Sequence, residues 1–384
     1  MVKKKLFLDL HLLQTLPPSC INRDDTGSPK TAIYGGVTRA RVSSQSWKRA
    51  MRRYFQERLA GRIEGIDYHG YLSKYAVDKI ADAIRAIDPE ADADKLAKKA
   101  LTDYAGIKLK NKTDQTAALL FFSEAQAQAL ANLITSGETD KDLYKNALRA
   151  YPAVDMALFG RMVADDATLN YDACVQVAHA ISTHEVRQEF DYFTAVDDLK
   201  AEDSTDAGAG HIGSNGYNSS TLYRYATVDI SDLAEMMGKD TPEIVADFAE
   251  AFINSMPTGK QNSFAANTMP YFIYATIRED RPLSFAGAFE EPARKSLKDG
   301  GGYEGPSEDK LVIYAERVHS LIAGKPLASF VTALYQLTPA PIGTNRAKET
   351  RDPSEYLEAS SCTQKEMLQG IADTVRTCLS REEG

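Results

Sequence analysis

Four basic side chains at one-turn spacing stand out in residues 43–53 of this 384-residue chain. Lys48 and Arg52 are four positions apart, and so are Arg49 and Arg53. On a helix, each pair would place two like charges side by side and destabilise the helix by about 0.2–0.5 kcal/mol. Such an arrangement is typical of a helix that binds an anion. The alternatives are a solvated basic face and a face paired with acidic residues from elsewhere in the chain.

The residues just before these cations fit the same hypothesis. Ser43 and Gln45 would lie at the start of the helix, where backbone N–H groups are free and the helix dipole is positive. Phosphate groups bind readily at such helix ends. Residues 43–53 are therefore the first candidate site for a polyanion.

Charge is distributed unevenly along the chain, which has a net charge of −9. Residues 1–62 hold thirteen Lys or Arg against four Asp or Glu, whereas the remainder holds 32 against 50. The overall charge argues against a general nucleic-acid binder. The asymmetry predicts one local polyanion site in an otherwise acidic protein.

An acidic pair, Asp24 and Asp25, follows Asn22 and Arg23. Two carboxylates could bind a divalent metal and support phosphodiester cleavage, but a metal-dependent nuclease needs several carboxylates or histidines that converge. An Asx-type turn with an internal ion pair to Arg23 is the favoured interpretation. Arg23 could still reach a phosphate.

Histidine and cysteine show no spacing that suggests catalysis or metal binding. Core or strand-surface positions are the favoured interpretation of His179, His184 and His211. The cysteines form no CxxC pair, which predicts reduced thiols and a cytoplasmic protein. No stretch approaches about 18 uninterrupted apolar residues, so no membrane span is predicted. We expect no metal, no cofactor and no catalytic residue.

Hydrophobic periodicity predicts a mixed α+β chain. Residues 5–15 alternate as a strand does, and residues 43–54 repeat apolar positions as an amphipathic helix does. Residues 16–38 are rich in Pro, Gly and Asp and are predicted to form a loop. Residues 66–180 have a more polar, helical pattern, which predicts an inserted helical block.

The second half of the chain predicts a hairpin and completes the fold class. Residues 181–196 and 222–230 read as strands around the long polar loop 197–221, and loops of such length are usually functional or disordered. Without the insertion, the element order is βαββαβ, the ferredoxin-like order of RNA-recognition domains. Further elements are a helix at 241–255, a strand at 271–279, and helices at 308–323 and 363–380.

Aromatic and apolar side chains beside the hairpin loop could contact bases. Tyr192 and Phe193 stand at the entrance of the loop, and Met162 follows the helical block. Bulky apolar side chains can stack on bases or wedge between them. From the residues alone, core packing is the favoured interpretation.

Eight segments, in the same order along the chain, carry a family resemblance. They are CINRDD at 20–25, AIYGG at 32–36, RVSSQSWKRAMR at 41–52, LFGRM at 158–162, DYFTAVDDL at 191–199, GHIG at 210–213, YRYA at 223–226 and GKQ at 259–261. Together they resemble the CasC family, the backbone subunits of the type I-E CRISPR Cascade complex. The helical block and the chain beyond residue 300 contribute little to the resemblance.

The resemblance implies a hand-shaped α+β protein with an RRM-like (ferredoxin-like) palm. The palm would comprise residues 1–62 and 181–384, with helical fingers inserted at 63–180 and a β-hairpin thumb whose loop spans about 193–222. Copies of the chain would polymerise along one CRISPR guide RNA and present it for pairing with target DNA. Other Cascade subunits would cap the RNA ends or flank the backbone.

The same resemblance implies a subunit that is not an enzyme. Members of the family are not known for catalysis within Cascade, where a separate helicase-nuclease cuts the target. Related backbone subunits of type III systems do cut RNA with a loop aspartate. A metal-dependent ribonuclease that uses Asp24 or Asp25 is therefore the alternative.

Individual residues receive roles only through this resemblance. Contacts with the RNA backbone would come from Arg23, Ser43, Gln45, Lys48, Arg49 and Arg52, with a second palm contact from Lys260 and Gln261. Apolar contacts at a kink in the RNA would come from Met162, Tyr192, Phe193 and Val196. Tyr192 stands where a relative can carry Trp, so the ring that contacts a base is left open.

Overall fold

The computed structural model describes residues 5–195, 211–295, 301–334 and 352–382. Val196 and the predicted loop residues 197–210 lie outside the described residues. The strands are β1 Phe7–Ser19, β2 Thr31–Tyr34, β3 Val37–Val42, β4 Tyr71–Ser73, β5 Leu120–Phe122, β6 Val175–Val177, β7 Ala180–Ser182, β8 Glu189–Ala195, β9 His211–Asp229, β10 Phe272–Arg278, β11 Ala328–Ala333 and β12 Ser360–Ser361. The α-helices are α1 Ser44–Tyr54, α2 Ala76–Ile87, α3 Ala93–Lys99, α4 Glu124–Thr135, α5 Lys141–Arg149, α6 Val154–Phe159, α7 Ile230–Met237, α8 Thr241–Asn254, α9 Gln261–Phe264, α10 Glu304–Val318, α11 Pro353–Leu357 and α12 Gln364–Glu382.

The chain divides into two compact units. Unit 1 comprises Met1–Met51, Val177–Thr227 and Phe248–Gly384, and unit 2 comprises Arg52–Gln176 and Val228–Asp247. The boundaries predicted from the sequence were residues 62 and 180, with everything after 180 in the palm.

One segment accounts for most of that difference. Residues 228–247 belong to unit 2 because Asp247 accepts a hydrogen bond from Arg62 at 2.5 Å and another from the Tyr68 hydroxyl. The backbone N–H of Asp229 also donates to the carbonyl of Cys174 at 2.7 Å. All of these partners lie more than 50 residues away in the sequence, so no local pattern could indicate them.

A large sheet forms the framework of unit 1. Its order in the described part of the chain is β12-β11-β10-β1-β9-β7-β3-β2. β1 pairs antiparallel with β10 from Phe7↔Arg278 to Leu13↔Phe272. The strand predicted at 5–15 is thus confirmed, and both of its faces are buried over residues 8–14.

The polar residues of β1 occupy a buried face with specific partners. The carboxylate of Asp9 accepts hydrogen bonds from the Tyr225 hydroxyl at 2.8 Å and the backbone N–H of Leu283 at 2.9 Å. His11 Nδ1 lies 2.9 Å from the Tyr223 hydroxyl. Buried polar groups are tolerated when they are hydrogen-bonded in this way.

The loop predicted at 16–38 contains a hairpin, so that prediction is wrong over its second half. β2 and β3 pair antiparallel from Thr31↔Ala40 to Tyr34↔Val37. Gly35 and Gly36 form the two-residue turn with φ values of 59° and 77°. Positive φ at both positions is the geometry of a type I′ turn, which suits the twist of a hairpin. The two consecutive glycines in the sequence therefore indicate a tight turn between two strands.

Other predicted elements are confirmed with shifted ends. The helix predicted at 43–54 is α1, and the strand predicted at 271–279 is β10. The predicted block 66–180 is largely helical, with α2 to α6 beside the short β4–β5 sheet. β9 begins at His211, so it includes part of the predicted loop.

Each unit has its own apolar core. In unit 2, Ile80, Ala97 and Leu130 belong to one buried cluster built mainly from its helices. In unit 1, Phe272 and Leu311 belong to another, which includes residues of β1, β10 and α10. None of the described helices is both long and apolar enough to cross a membrane.

Candidate nucleic-acid interface

Helix α1 buries one side and exposes the other. Trp47, Ala50 and Met51 are buried. The guanidinium carbon of Arg224 lies 3.8 Å from the centroid of the Trp47 ring, which fixes the helix against unit 1. The predicted amphipathic helix is therefore confirmed, with Arg49 on its exposed side.

The exposed side of α1 carries three of the predicted site residues within unit 1. Gln45 and Arg49 are exposed, whereas Lys48 is half-buried. Burial lowers the pKa of the Lys48 ammonium from its usual value of 10.5. The guanidinium of Arg49 forms no hydrogen bond or ion pair with any described residue. Its positive charge is thus available to an anion from outside the chain.

The start of α1 is joined to the segment that holds Arg23. The backbone N–H of Ser43 donates to Oδ1 of Asn22 at 2.9 Å. Ser43 itself is buried, and its carbonyl accepts from the N–H groups of Ser46 and Trp47 at 3.0 and 3.3 Å. Sequence reasoning missed Asn22 as a structural link, although its side chain is of the type that commonly binds backbone N–H groups.

The predicted second contact, Lys260 with Gln261, lies directly against that segment. A Cβ atom added to Gly259 would collide with the carbonyl of Ile21, so only glycine allows this close approach. Lys260 follows with φ 48° and ψ 28°, in the left-handed region. Backbone strain of this kind tends to occur at functional sites.

The side chains of this loop are held by unit 1 itself. The ammonium of Lys260 donates to Oδ1 of Asn215, which lies on β9. Gln261 donates from Nε2 to the Pro257 carbonyl at 3.5 Å, while its Oε1 is buried without a partner in the described residues.

The positive charges of Lys260 and Arg23 both act on the Cys20 thiol. Burial raises the pKa of this thiol, and the positive charges of Lys260 and Arg23 act in the opposite direction. Both cations therefore lie near Cys20. Unit 1 thus brings together three segments that are far apart in the sequence, which we call the basic interface: residues 20–23, 43–49 and 258–261.

Arg52 differs from the other predicted contacts because it belongs to unit 2. Its Nη2 donates to the carbonyl of Gly70 at 2.9 Å, and its guanidinium carbon lies 4.6 Å from the centroid of the Phe121 ring. Its Nε forms an ion pair with Asp155. The side chain therefore has a structural role, and its contact with RNA stays a prediction.

The acidic pair forms a turn. Oδ1 of Asp24 accepts hydrogen bonds from the Thr26 hydroxyl at 2.7 Å and from the N–H groups of Thr26 and Ser28, both at 3.0 Å. These bonds, led by that of the Thr26 hydroxyl, lower the pKa of Asp24. The predicted Asx turn is confirmed, but the predicted ion pair is wrong, because Arg23 is exposed and pairs with no described acid.

The predicted hairpin exposes its aromatic residues. β8 and β9 pair antiparallel from Glu189↔Tyr217 to Ala195↔His211. Tyr192 is 65% exposed and Phe190 63%, on the same face of β8. Sequence reasoning missed Phe190, although the alternation that marks β8 as a strand places it beside Tyr192.

The sequence favoured core packing for the bulky side chains Tyr192, Phe193 and Met162. This prediction is wrong for Tyr192 and for Met162. The Met162 side chain, in unit 2, is 81% exposed. Phe193 is 37% exposed and lies over Gly213 on the opposite strand, where any side chain would collide with its ring. The fourth predicted residue, Val196, lies outside the described residues.

Comparisons with known proteins give a family and a fold for this chain. The family model of CT1975-like proteins matches residues 8–358. The chain belongs to this family. No match was found among curated proteins.

Two solved structures show the same fold. A chain of a structure titled "CRISPR RNA-guided surveillance complex, pre-nicking" is similar with 31% sequence identity and a TM-score of 0.78, over 96% of this chain and 100% of that chain. A chain of a "CRISPR RNA-guided surveillance complex" is similar with 28% identity and a TM-score of 0.61, over 96% and 99%. The α+β class predicted from the sequence is therefore shared with both.

Proposed function

We propose that this chain is a guide-RNA-binding backbone subunit of a CRISPR surveillance complex, of the type I-E Cascade kind. The observation that best supports this is the similarity to a chain of such an RNA-guided complex, which extends over 96% of this chain and all of the other. The resemblance of residues 20–52 to the CasC family supports the finer assignment. The proposal includes a cytoplasmic protein that is not an enzyme.

The basic interface gives this proposal its chemistry. Arg23, Lys48, Arg49 and Lys260 supply positive charge, and Ser43, Gln45 and Gln261 supply polar groups, all in unit 1. Contacts of this type hold the phosphate backbone without reading the bases. A subunit built in this way accepts a guide of any sequence, and base pairing between guide and target supplies the specificity.

The sheet supports the proposed RRM-like palm. The strands β10-β1-β9-β7 are adjacent in this order within unit 1. If β1, β7, β9 and β10 are the first to fourth strands of a βαββαβ fold, the observed order is the ferredoxin-like one. In this proposal unit 2 provides the fingers, and the β8–β9 hairpin is the thumb.

Exposed apolar side chains suit the proposed contacts between copies. Tyr192, Phe193 and Met162 are exposed and could pack against unstacked bases at kinks in the RNA. Val196 shares this proposed role. Kinks at regular intervals would divide the guide into short segments, which would pair with target DNA without winding the target around the whole guide.

The proposal is tested by mixing the full chain with guide RNAs of increasing length and counting copies by native mass spectrometry. We expect the number of copies per RNA to rise in steps with RNA length, for guides of unrelated sequence. One copy per RNA at every length, or binding to only one guide sequence, would contradict the proposal. The chain without RNA is the control for self-association.

A further inference from the structure

Three basic side chains lie side by side on neighbouring strands at the edge of the basic interface. The β2–β3 register pairs Thr31 with Ala40, which places Lys30 opposite Arg41. The β3–β7 register pairs Arg41 with Ile181, and His179 is two residues before Ile181. Because side chains alternate between the faces of a sheet, Lys30, Arg41 and His179 share one face.

A direct contact joins two members of this row, Arg41 and His179. An Nη1–H of Arg41 donates to Nδ1 of His179 at 3.1 Å, because a guanidinium can only donate. The bond assigns the neutral His179 proton to Nε2, which is left as a donor. Arg41 also donates from Nε to the Thr31 carbonyl at 3.2 Å, which fixes the plane of its guanidinium.

The positive charges of this row are not paired with any acidic residue in the described part of the chain. Neither Lys30 nor Arg41 forms an ion pair with a described residue. Partial burial of the ring lowers the pKa of His179, and the charges of Arg41 and Lys30 lower it further. Like charges opposite each other on a sheet are destabilising. An anion that binds across the row would remove this repulsion.

The row is continuous with the basic interface. The backbone N–H of Lys30 donates to the carbonyl of Asn22 at 3.0 Å, and Oδ1 of Asn22 accepts from the N–H of Ser43 at 2.9 Å. The backbone of Arg41 is also bonded to that of Lys30, with its N–H 2.9 Å from the Lys30 carbonyl. One residue, Asn22, therefore joins the row to α1 and to the segment that carries Arg23.

We propose that Lys30, Arg41 and His179 form an additional phosphate-binding site that extends the path of a single-stranded RNA beyond the basic interface. Lys30 contributes an ammonium, Arg41 a guanidinium in a fixed plane, and His179 an Nε2–H donor. This inference rests on the proposed function, because it identifies the ligand as the backbone of the same guide RNA.

The test is the salt dependence of guide-RNA binding by the full chain. For single-stranded nucleic acid, the slope of log affinity against log salt concentration is about −0.7 per phosphate contact. Lys30→Ala with Arg41→Ala should therefore make the slope shallower by about 1.4, equally for two guides of unrelated sequence. Arg294→Ala, which removes another exposed arginine of unit 1, is the matched control and should leave the slope unchanged.

Two further variants keep the test decisive. Arg41→Lys keeps the positive charge at this position. If Arg41→Ala changes the salt slope by removing that charge, the slope of Arg41→Lys should be close to that of the wild type. Lys30→Ala alone removes a side chain without a described partner, so it tests the row even if Arg41→Ala perturbs the sheet. Thermal unfolding of each variant measures any such perturbation.

The outcomes separate this inference from the proposed function. The salt slope could be unchanged in Lys30→Ala and in the double variant but shallower in Lys48→Ala. That result would contradict the phosphate site at Lys30, Arg41 and His179 and would leave the proposed function standing. Unchanged slopes in all of these variants would contradict both.

Discussion

The Nε–H of Arg52 donates a 2.8 Å hydrogen bond to Oδ2 of Asp155, a carboxylate that is completely buried in unit 2. The other oxygen of Asp155 accepts from the backbone N–H of Gly70 at 2.8 Å, and His69 Nδ1 lies 3.2 Å from Oδ2. Arg52 is the one permanently charged partner among these. The ion pair links Arg52, near the end of α1, to α6, which carries Asp155.

Arg52→Ala should destabilise the protein strongly. Removal of one partner of a buried ion pair leaves an uncompensated charge and costs about 3–5 kcal/mol. We expect a loss near the lower end of this range, because the Arg52 side chain is 21% exposed. Denaturant unfolding measures the loss. Arg53→Ala is the matched control, since its pair with Glu57 is exposed and such pairs contribute less than about 1 kcal/mol.

Lys48→Ala with Arg49→Ala should weaken RNA binding without unfolding the chain. These side chains lie on the outer side of α1, and two phosphate contacts correspond to a salt slope that is shallower by about 1.4. The loss of affinity should be equal for unrelated guides, because phosphate contacts do not read sequence. Binding titrations over a series of salt concentrations measure it. An unchanged slope would show that α1 faces solvent in the assembly.

Asp9 should make stability depend on pH. Burial raises its pKa to about 6 from a usual value of 3.8, so the folded chain keeps this proton over a range where the unfolded chain has released it. The contribution of Asp9 is therefore fully present below pH 3.8 and is lost as pH rises towards 6. The contribution of Asp9 to the unfolding free energy changes by roughly 3 kcal/mol at most over this range, because each unit of pKa difference corresponds to about 1.36 kcal/mol.

Unfolding free energies of the wild type and of Asp9→Asn across this pH range measure the effect. Asp9→Asn cannot titrate, so the difference between the two proteins should shift in favour of Asp9→Asn as pH rises. A difference that does not vary with pH would show that Asp9 titrates alike in both states.

Tyr192→Ala should impair assembly on RNA and leave the free chain stable. The ring is 65% exposed, and surface substitutions of this kind usually change stability by less than about 0.5 kcal/mol. Fewer copies per guide RNA, or irregular spacing, are expected in native mass spectrometry. Tyr151→Ala is the matched control, because that tyrosine is 69% exposed on unit 2. Assemblies identical to those of the wild type would argue against the thumb assignment.

Assembled protein incubated with complementary RNA and Mg²⁺ or Mn²⁺ should leave the RNA intact. Oδ1 of Asp24 accepts three hydrogen bonds within its own turn, and these would compete with metal binding at that oxygen. Asp24→Asn removes the negative charge but keeps a side-chain oxygen that can accept the hydrogen bonds of the turn. Asp25→Ala removes the second carboxylate. Site-specific cleavage by the wild type that either variant abolishes would support the ribonuclease alternative and contradict a non-catalytic subunit.

Local patterns in the sequence predicted those parts of the fold that depend on neighbouring residues. The apolar spacing of Trp47, Ala50 and Met51 predicted α1, because a buried helix face repeats every three or four residues. Alternation predicted β1, β8 and the second half of β9 for a similar reason, whereas residues 211–217, which pair with β8, were predicted as loop. The charge of residues 1–62 predicted a local basic surface, and the acidic pair predicted the Asx turn.

Tertiary structure decided which of these elements meet. Gly259 against Ile21, Asn22 with Ser43, and Arg52 with Asp155 are contacts between residues 21 to more than 200 positions apart. Their energies depend on burial and on exact approach, and neither is visible in local periodicity. The sequence therefore determined that the chain has a local basic surface, whereas the exposure of Tyr192 was decided by the tertiary structure. Only the packing of distant segments separated Arg49, which is free to bind, from Arg52, which holds a buried carboxylate.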